Sequence, residues 1–288
     1  VKKAKETELE IQIATNSTVK AVKVKRTRIE AVVEGPKGTR GFLTISLSKD
    51  YLKSLNLSID DVEVLINGTP TPFTYTETPG AYILKIHYHH SALTISIKLG
   101  YDLYLEVLDG EKKPLENAVV EIYRKGILFN ASLTGAGGLS RFAALSKGHY
   151  TIRILWRGVE VAKKDVEIKD DLNVTLSTKV YSLRVRVRAL IGLPASSVTV
   201  KVILPDGTII TQTTGADGVA ILKQLPIGEH EVTASAISTV ARKVLVTKPS
   251  MEVSFTLVTM IDIMVIALVI AIILTVIAVV IMRRWKRK

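Results

Sequence analysis

Between residues 28 and 99, apolar and polar side chains alternate in five short runs: RIEAVVEG (28–35), GFLTISLS (41–48), DVEVLING (61–68), AYILKIHY (81–88) and ALTISIKL (92–99). A two-residue period rich in branched side chains marks strands with one buried face. GPKG at 35–38 and TETPG at 76–80 separate runs as turns. SKDYLKSL at 48–55 breaks the period and predicts a helical turn capped by Ser48 or Asp50. Alternating or branched apolar runs recur at Ala118–Tyr123, Tyr150–Leu155, Val198–Ile203 and Glu231–Ala236. The pattern then changes completely. Ile263–Met282 (IMVIALVIAIILTVIAVVIM) is a run of 20 uncharged residues with one hydroxyl, Thr275. As a helix it spans about 30 Å, the thickness of a bilayer core.

The pattern also repeats. TGAGG at 134–138 returns as TGADG at 214–218, an offset of 80 residues. The register holds on both sides: PLENAVVEIYRKG from Pro114 aligns with PASSVTVKVILPDG from Pro194, Leu145 with Leu225, and Gly148 with Gly228. Such persistence predicts a duplicated structural unit. The glycines read as turn residues needing positive φ. The alternative, a phosphate-cradling loop, lacks a following helix and a Lys-Ser/Thr pair. PDG at 205–207 is a further turn.

The order of proline with small residues, V-rich strand, T-G-A-x-G, apolar strand, glycine turn and strand resembles the carboxypeptidase regulatory-like, or transthyretin-like (prealbumin-like), β-sandwich. The resemblance covers 100–179 and 180–258. It implies a seven-stranded fold with a structural or interaction-bearing role, and it implies no catalytic residues. GFLTISLSKDYL, VEVLINGTPTPFTY and AYILKIHYHHSALTISI in residues 1–99 look like an immunoglobulin-like module common in archaeal cell-surface proteins. The expected architecture is therefore an all-β ectodomain of three tandem Ig-like/prealbumin-like sandwiches (1–99, 100–179, 180–258), a transmembrane helix (259–282) and a basic cytoplasmic tail (283–288). Linkers near 99–101 and 178–181 are short.

The tail is Arg283, Arg284, Trp285, Lys286, Arg287 and Lys288. Basic residues stay on the cytoplasmic side and tryptophan favours the interface, so the N-terminus is expected outside and the C-terminus inside. Of the net +12, the tail supplies five positive charges, leaving +7 on the exterior. The polar opening after Val1 (KKAKETE) fits a removed secretory signal, a trimmed chain or a fragment of a longer one.

Composition adds a second layer. Five of six asparagines, Asn16, Asn56, Asn67, Asn130 and Asn173, begin N-x-S/T; Asn117 does not. Serine and threonine total 45 of 288 residues, so chance supplies about one such motif. The five are expected glycan acceptors on an exposed surface. None lies beyond Asn173, so the third sandwich is expected bare. With no cysteine, three glutamines and abundant Lys, Glu, Ile and Val, the composition suits a thermophile whose sandwiches hold without disulfides. A thermophilic archaeal envelope fits these features together.

Candidate chemistry is sparse. His87 and His89, in KIHYHHS, share a strand face and are the only metal-ligand candidates, with no evident third ligand. His149 and His230 miss the 80-residue offset by one, so they suggest no shared site. Arg184, Arg186 and Arg188 alternate with apolar residues in LRVRVRAL. They suit a solvated or edge strand, or contact with anionic lipid or an acidic partner. Lys20, Lys23, Lys25, Arg26 and Arg28 form a second basic patch, read as a solvated face. Nucleic-acid binding lacks interleaved aromatics. No G-x-S-x-G, H-E-x-x-H or cysteine nucleophile is present, so no enzyme and no cofactor are expected. Ala267 and Ala271 make a small-xxx-small pair in the membrane helix, a route to helix association. Expected partners are lipids and other envelope or membrane proteins. The expected role is spacer, surface-layer anchor or adhesion element. The alternatives are an accessory subunit of a transport or secretion complex, or an envelope hydrolase.

Overall fold

The computed structural model describes residues 11–285. The N-terminal part contains β1 (Ile11–Thr15), β2 (Thr18–Lys25), β3 (Arg28–Glu34), β4 (Arg40–Ser48), α1 (Lys49–Ser54), β5 (Val62–Ile66), β6 (Thr69–Pro70), β7 (Thr74–Glu77), β8 (Ala81–His89) and β9 (Leu93–Leu99). One sheet has the order β1-β4-β8-β7, the other β2-β3-β9-β5-β6. Their inner faces close on one core that includes Ile29, Leu43, Ile45, Leu84, Ile86, Ile95 and Ile97, all at most 1% exposed. Alternation in the sequence produces this core, because every second side chain points between the sheets. The five runs legible in the sequence are β3, β4, β5, β8 and β9. Of the other four strands, β1 (IQIAT) is half-buried at alternate residues, while β2 (TVKAVKVK) and β7 (TYTE) are edge strands exposed along their whole length. Ser48 caps α1, its hydroxyl accepting from the Tyr51 amide at 3.3 Å. Asn67 (φ 50°) and Gly68 (φ 82°) form the two-residue link between β5 and β6, where both central residues need positive φ.

The duplicated region follows. The first copy comprises β10 (Tyr101–Leu108), β11 (Val119–Arg124), β12 (Ile127–Leu133), β13 (Leu139–Leu145), β14 (Gly148–Trp156), β15 (Val159–Ile168) and β16 (Leu172–Ser177). The second comprises β17 (Val180–Ala189), β18 (Thr199–Ile203), β19 (Ile209–Thr213), β20 (Val219–Pro226), β21 (Gly228–Ser235), β22 (Thr239–Val246) and β23 (Met251–Leu257). The sheets are β13-β10-β16 with β12-β11-β14-β15, and β20-β17-β23 with β19-β18-β21-β22. Strand for strand, the topology is the same. Each copy has its own core, around Phe142 and Tyr150 in the first and Phe255 in the second.

The repeated pentapeptide is a clasp across the end of each sandwich. Thr134 Oγ1 donates to Leu115 O (2.6 Å) and accepts from Ala118 N (2.9 Å); Thr214 Oγ1 does the same with Ala195 O (2.6 Å) and Val198 N (3.0 Å). Gly138 and Gly218 both adopt φ 71°, and a Cβ there would lie 2.3 Å from Val107 O or 2.5 Å from Val187 O. Only glycine fits such a turn. One difference sits in the core. Tyr150 donates its hydroxyl to Ser146 O (3.1 Å), whereas at the same register His230 Nε2 meets Pro226 O (2.8 Å).

The junctions are short and gripped. One residue, Gly100, separates β9 from β10, and Thr178 and Lys179 separate β16 from β17. At the first junction Asp61 is buried, and its carboxylate accepts from Lys147 N at 2.7 Å. Asp171 there accepts from Asp102 N and pairs with buried Lys98, both at 2.7 Å. Burial works against the Lys98 charge, but the hydrogen bond and charge of Asp171, with Glu63 behind them, outweigh it and hold the ammonium above its ordinary range. At the second junction Trp156 Nε1 donates to Gln224 O (2.8 Å) and Glu111 accepts from Ser182 N (2.9 Å). Two residues after β23 begins α2 (Met260–Trp285); its stretch Met260–Arg283 is long and apolar enough to cross a membrane, and beyond the buried Asp262 of its first turn its apolar side chains are not buried.

Candidate functional site at the C-terminal end

The three cores leave little polar chemistry inside, so functional candidates lie on the surfaces. His87 and His89 do share the outer face of β8. Among the described residues no group of three His, Cys, Asp or Glu side chains is placed to hold a metal. The third histidine of that motif, His90, is buried and bridges Ser17 Oγ (2.7 Å) and Thr39 Oγ1, closing the far end of the first sandwich. His149 is exposed while His230 is in the core, so the two occupy unrelated environments.

All six asparagines are exposed. Three of them, Asn56, Asn67 and Asn117, have φ between 50° and 61°, the left-handed region that asparagine tolerates better than most residues. Asn16 is held by backbone bonds, Nδ2 to Arg40 O and Oδ1 from Phe42 N, each at 3.0 Å. Conformation thus gives four of the six a reason to be asparagine that is independent of any glycan. Asn130 on β12, whose Oδ1 accepts only from the adjacent Ala131 amide (2.8 Å), and Asn173 on β16 lack a left-handed φ and stand exposed on their strands.

The alternating arginines lie on β17, which is the central strand of its sheet, so the edge-strand reading is corrected. Tertiary pairing decided this: β20 and β23 flank β17 on either side. Arg184 and Arg186 converge on Glu252 of β23, at 3.4 and 2.7 Å. The hydrogen bond from Arg186 leads in holding the Glu252 carboxyl below its ordinary range, with the arginine charges adding to it. Arg188 is exposed and enters no ion pair among the described residues. Lys20, Lys23 and Lys25 stand on the edge strand β2, where charge discourages further strand pairing.

Arg188 leads into the end of the sandwich that meets α2. Asp262, in the first turn of α2, is 1% exposed. Its carboxylate accepts from Thr259 N (2.7 Å), Thr259 Oγ1 (2.9 Å) and Ile191 N (3.0 Å). The β21–β22 turn closes the other side, with Val258 N donating to Ser238 Oγ at 2.9 Å. The helix therefore leaves the sandwich from a fixed socket. In the sequence Asp262 is the last charge before the apolar run; a lone acid three residues after a hydroxyl, Thr259-Met260-Ile261-Asp262, is the signal it leaves.

Ala267 and Ala271 are exposed on α2, and Thr275 Oγ1 donates to Ala271 O at 2.8 Å, continuing a line of small side chains at four-residue spacing. Arg283 and Trp285 end the helix, Trp285 being 83% exposed. Arg284 lies in the same last turn. Lys286, Arg287 and Lys288, like the opening residues from Val1, lie outside the described residues.

No protein-family model matches the chain, and no curated protein matches it. Solved structures with some likeness include the minor pilin GBS52 of Streptococcus agalactiae (15% identity, 55% of this chain and 94% of that one, TM-score 0.34). Another is the shaft pilin spaA of Lactobacillus rhamnosus GG (11%, 54% and 97%, 0.31). The Bacillus anthracis TIE protein is similar over 88% of this chain at 11% identity and a TM-score of 0.27, and the chain spans 59% of its length. At such scores these likenesses do not go beyond what the sheets themselves show: tandem β-sandwiches followed by one apolar helix.

Proposed function

We propose that this chain is a membrane-anchored cell-surface protein with a structural or interaction role: a spacer, surface-layer anchor or adhesion element that holds three β-sandwiches outside the cell. One observation carries the reading. α2 follows the last strand after two residues, and past the buried Asp262 its apolar run from Ile263 to Met282 has no protein cover. Lipid is the solvent that suits such a surface. The basic C-terminal residues favour a cytoplasmic C-terminus. The short, bonded junctions suit a spacer, because they restrict bending between modules. Glycans on Asn130 and Asn173 first, and on Asn16, Asn56 and Asn67, belong to the same proposal, as does a thermophilic archaeal envelope.

Protease treatment of intact cells carrying epitope tags at both ends tests the topology. The expected result is loss of the N-terminal tag and protection of the C-terminal one until the membrane is opened. Cleavage of the C-terminal tag on intact cells would overturn the reading. A second reading, an accessory subunit of a larger membrane complex, is favoured by Ile203 and Ile209. These residues face each other across the β18–β19 hairpin and are 51% and 59% exposed. Gentle detergent extraction and affinity capture separates the two. Stoichiometric polytopic partners support the subunit; recovery alone supports the spacer.

A further inference from the structure

The two copies build the same loop from opposite chemistry. In the first copy the β10–β11 loop starts Asp109-Gly110-Glu111-Lys112-Lys113-Pro114; in the second the β17–β18 loop starts Ala189-Leu190-Ile191-Gly192-Leu193-Pro194. The backbones agree bond for bond. Asp109 N donates to Lys113 O (2.7 Å) and Lys112 N to Asp109 O (3.1 Å); Ala189 N donates to Leu193 O and Gly192 N to Ala189 O, both at 2.9 Å. Bridges Leu108–Pro114 and Arg188–Pro194 close both loops. Lys112 and Gly192 both have positive φ. The neighbouring hairpin changes chemistry in the same sense on a different turn: Arg157, at φ 49° in the two-residue β14–β15 link, aligns with Ile237 in the three-residue β21–β22 link.

What differs is what each loop faces. The first copy's loop meets the next sandwich, Gly110 N donating to Val180 O at 2.8 Å and Glu111 accepting from Ser182 N. The second copy's loop meets α2. Ile191 N is fixed 3.0 Å from Asp262, one residue before the apolar run that begins at Ile263. That bond sets the loop at the depth where the span enters hydrocarbon. Leu190, Ile191, Leu193 and Ile237 are 61%, 44%, 51% and 52% exposed, beside Met260 at 60%. An isolated exposed leucine is ordinary; four around one helix entrance, three of them standing where the first copy has Glu111, Lys113 and Arg157 and one where it has Gly110, mark an interaction surface.

We infer that Leu190, Ile191, Leu193 and Ile237 insert into the interfacial layer of the bilayer, making a second membrane contact that fixes the third sandwich upright around α2. The inference rests on α2 being a membrane span. Continuity with that span singles out lipid over a protein partner as occupant. Arg188, exposed at the top of the same loop, is placed for an anionic headgroup.

The chain has no cysteine, so one introduced thiol is the only label site. Full-length chain with an environment-sensitive fluorophore at Leu193→Cys or Ile237→Cys is reconstituted in phosphatidylcholine–phosphatidylglycerol vesicles. Controls at Lys113→Cys and Arg157→Cys report the matching positions of the first copy, and Ile272→Cys reports the helix centre. The expected result is that nitroxide lipids quench positions 193 and 237 several-fold more than 113 and 157, with aqueous iodide showing the reverse. Positions 193 and 237 behaving like 113 and 157, while 272 remains lipid-quenched, would overturn the insertion and leave the anchor intact. Loss of lipid quenching at 272 would overturn both. A loop exchange (Ala189→Asp, Leu190→Gly, Ile191→Glu, Gly192→Lys, Leu193→Lys), built on a backbone the first copy already tolerates, is expected to lower lipid quenching at Ile237→Cys severalfold. Unchanged quenching there would show that the loop makes no contact of consequence.

Discussion

The two duplicated sandwiches invite direct comparison, because they share topology, turn clasps and loop backbones yet end against different neighbours. The first copy ends on protein and carries Glu111, Lys113 and Trp156 there, each with a polar or packed partner. The second ends on an apolar helix and carries Ile191, Leu193 and Ala236 at the same places. Backbone geometry was set by Thr-Gly turn chemistry and kept. Side chains at these ends changed to suit the surroundings, the buried Trp156 among them. The difference teaches that the clasp and the loop surface are separable: one specifies the fold, the other the neighbour.

The largest expected effect breaks the shared part. Gly138→Ala and Gly218→Ala each drive a Cβ into a backbone carbonyl at positive φ, and each should cost its own sandwich about 2–4 kcal/mol. Thermal unfolding should show the two losses to be alike; a mild effect in one copy alone would mean that the clasps are not equivalent. Thr134→Val and Thr214→Val come next. Each leaves a buried amide and a carbonyl without a partner, a loss of about 1–3 kcal/mol by chemical denaturation.

Smaller effects sharpen what is particular to each copy. Asp262→Asn weakens the socket of α2, and hydrogen exchange at the Ile191 amide should quicken several-fold while Gly110 exchange does not change. His230→Tyr restores the residue of the first copy to the second; with Pro226 O still available, stability should move by less than about 1.5 kcal/mol. The subtlest concerns pH. Because the Lys98 pKa is raised on folding, its contribution is complete below the ordinary lysine value of 10.5 and is lost as pH rises through the higher folded value. Spin-label distances should broaden across the first junction above that pH. They should hold across the second, where the Trp156–Gln224 and Gly110–Val180 bonds involve no lysine and Lys113, which pairs with Glu111, is largely exposed.

Legibility followed burial. β3, β4 and β8 were readable because a strand with one buried face must alternate, and the core enforces it; β9 alternates in sequence although Ser96 and Lys98 on its second face are buried too. β2 and β7 were not, since an edge strand exposed on both faces is not required to alternate, and the Val-Lys alternation within β2 reads as a basic surface patch. The repeat was readable because positive φ demands glycine in both copies. The asparagine pattern was readable as sequons, but the positive φ of Asn56, Asn67 and Asn117 was not, because sequence spacing carries no dihedral angle. β17 was legible as a strand with an arginine face, yet its central place was not. Position in a sheet depends on β20 and β23, which lie tens of residues away.

By itself, then, the sequence determined the alternating strands, the duplicated turns and the apolar span, because each is a local demand of backbone geometry or of solvent. Tertiary structure alone decided which carboxylate grips which amide: Asp61 at Lys147, Glu111 at Ser182, Asp262 at Ile191. Those pairs are separated by about 70 residues or more and leave no periodic trace. They form only when each sandwich has closed and brought its end loops against the next element.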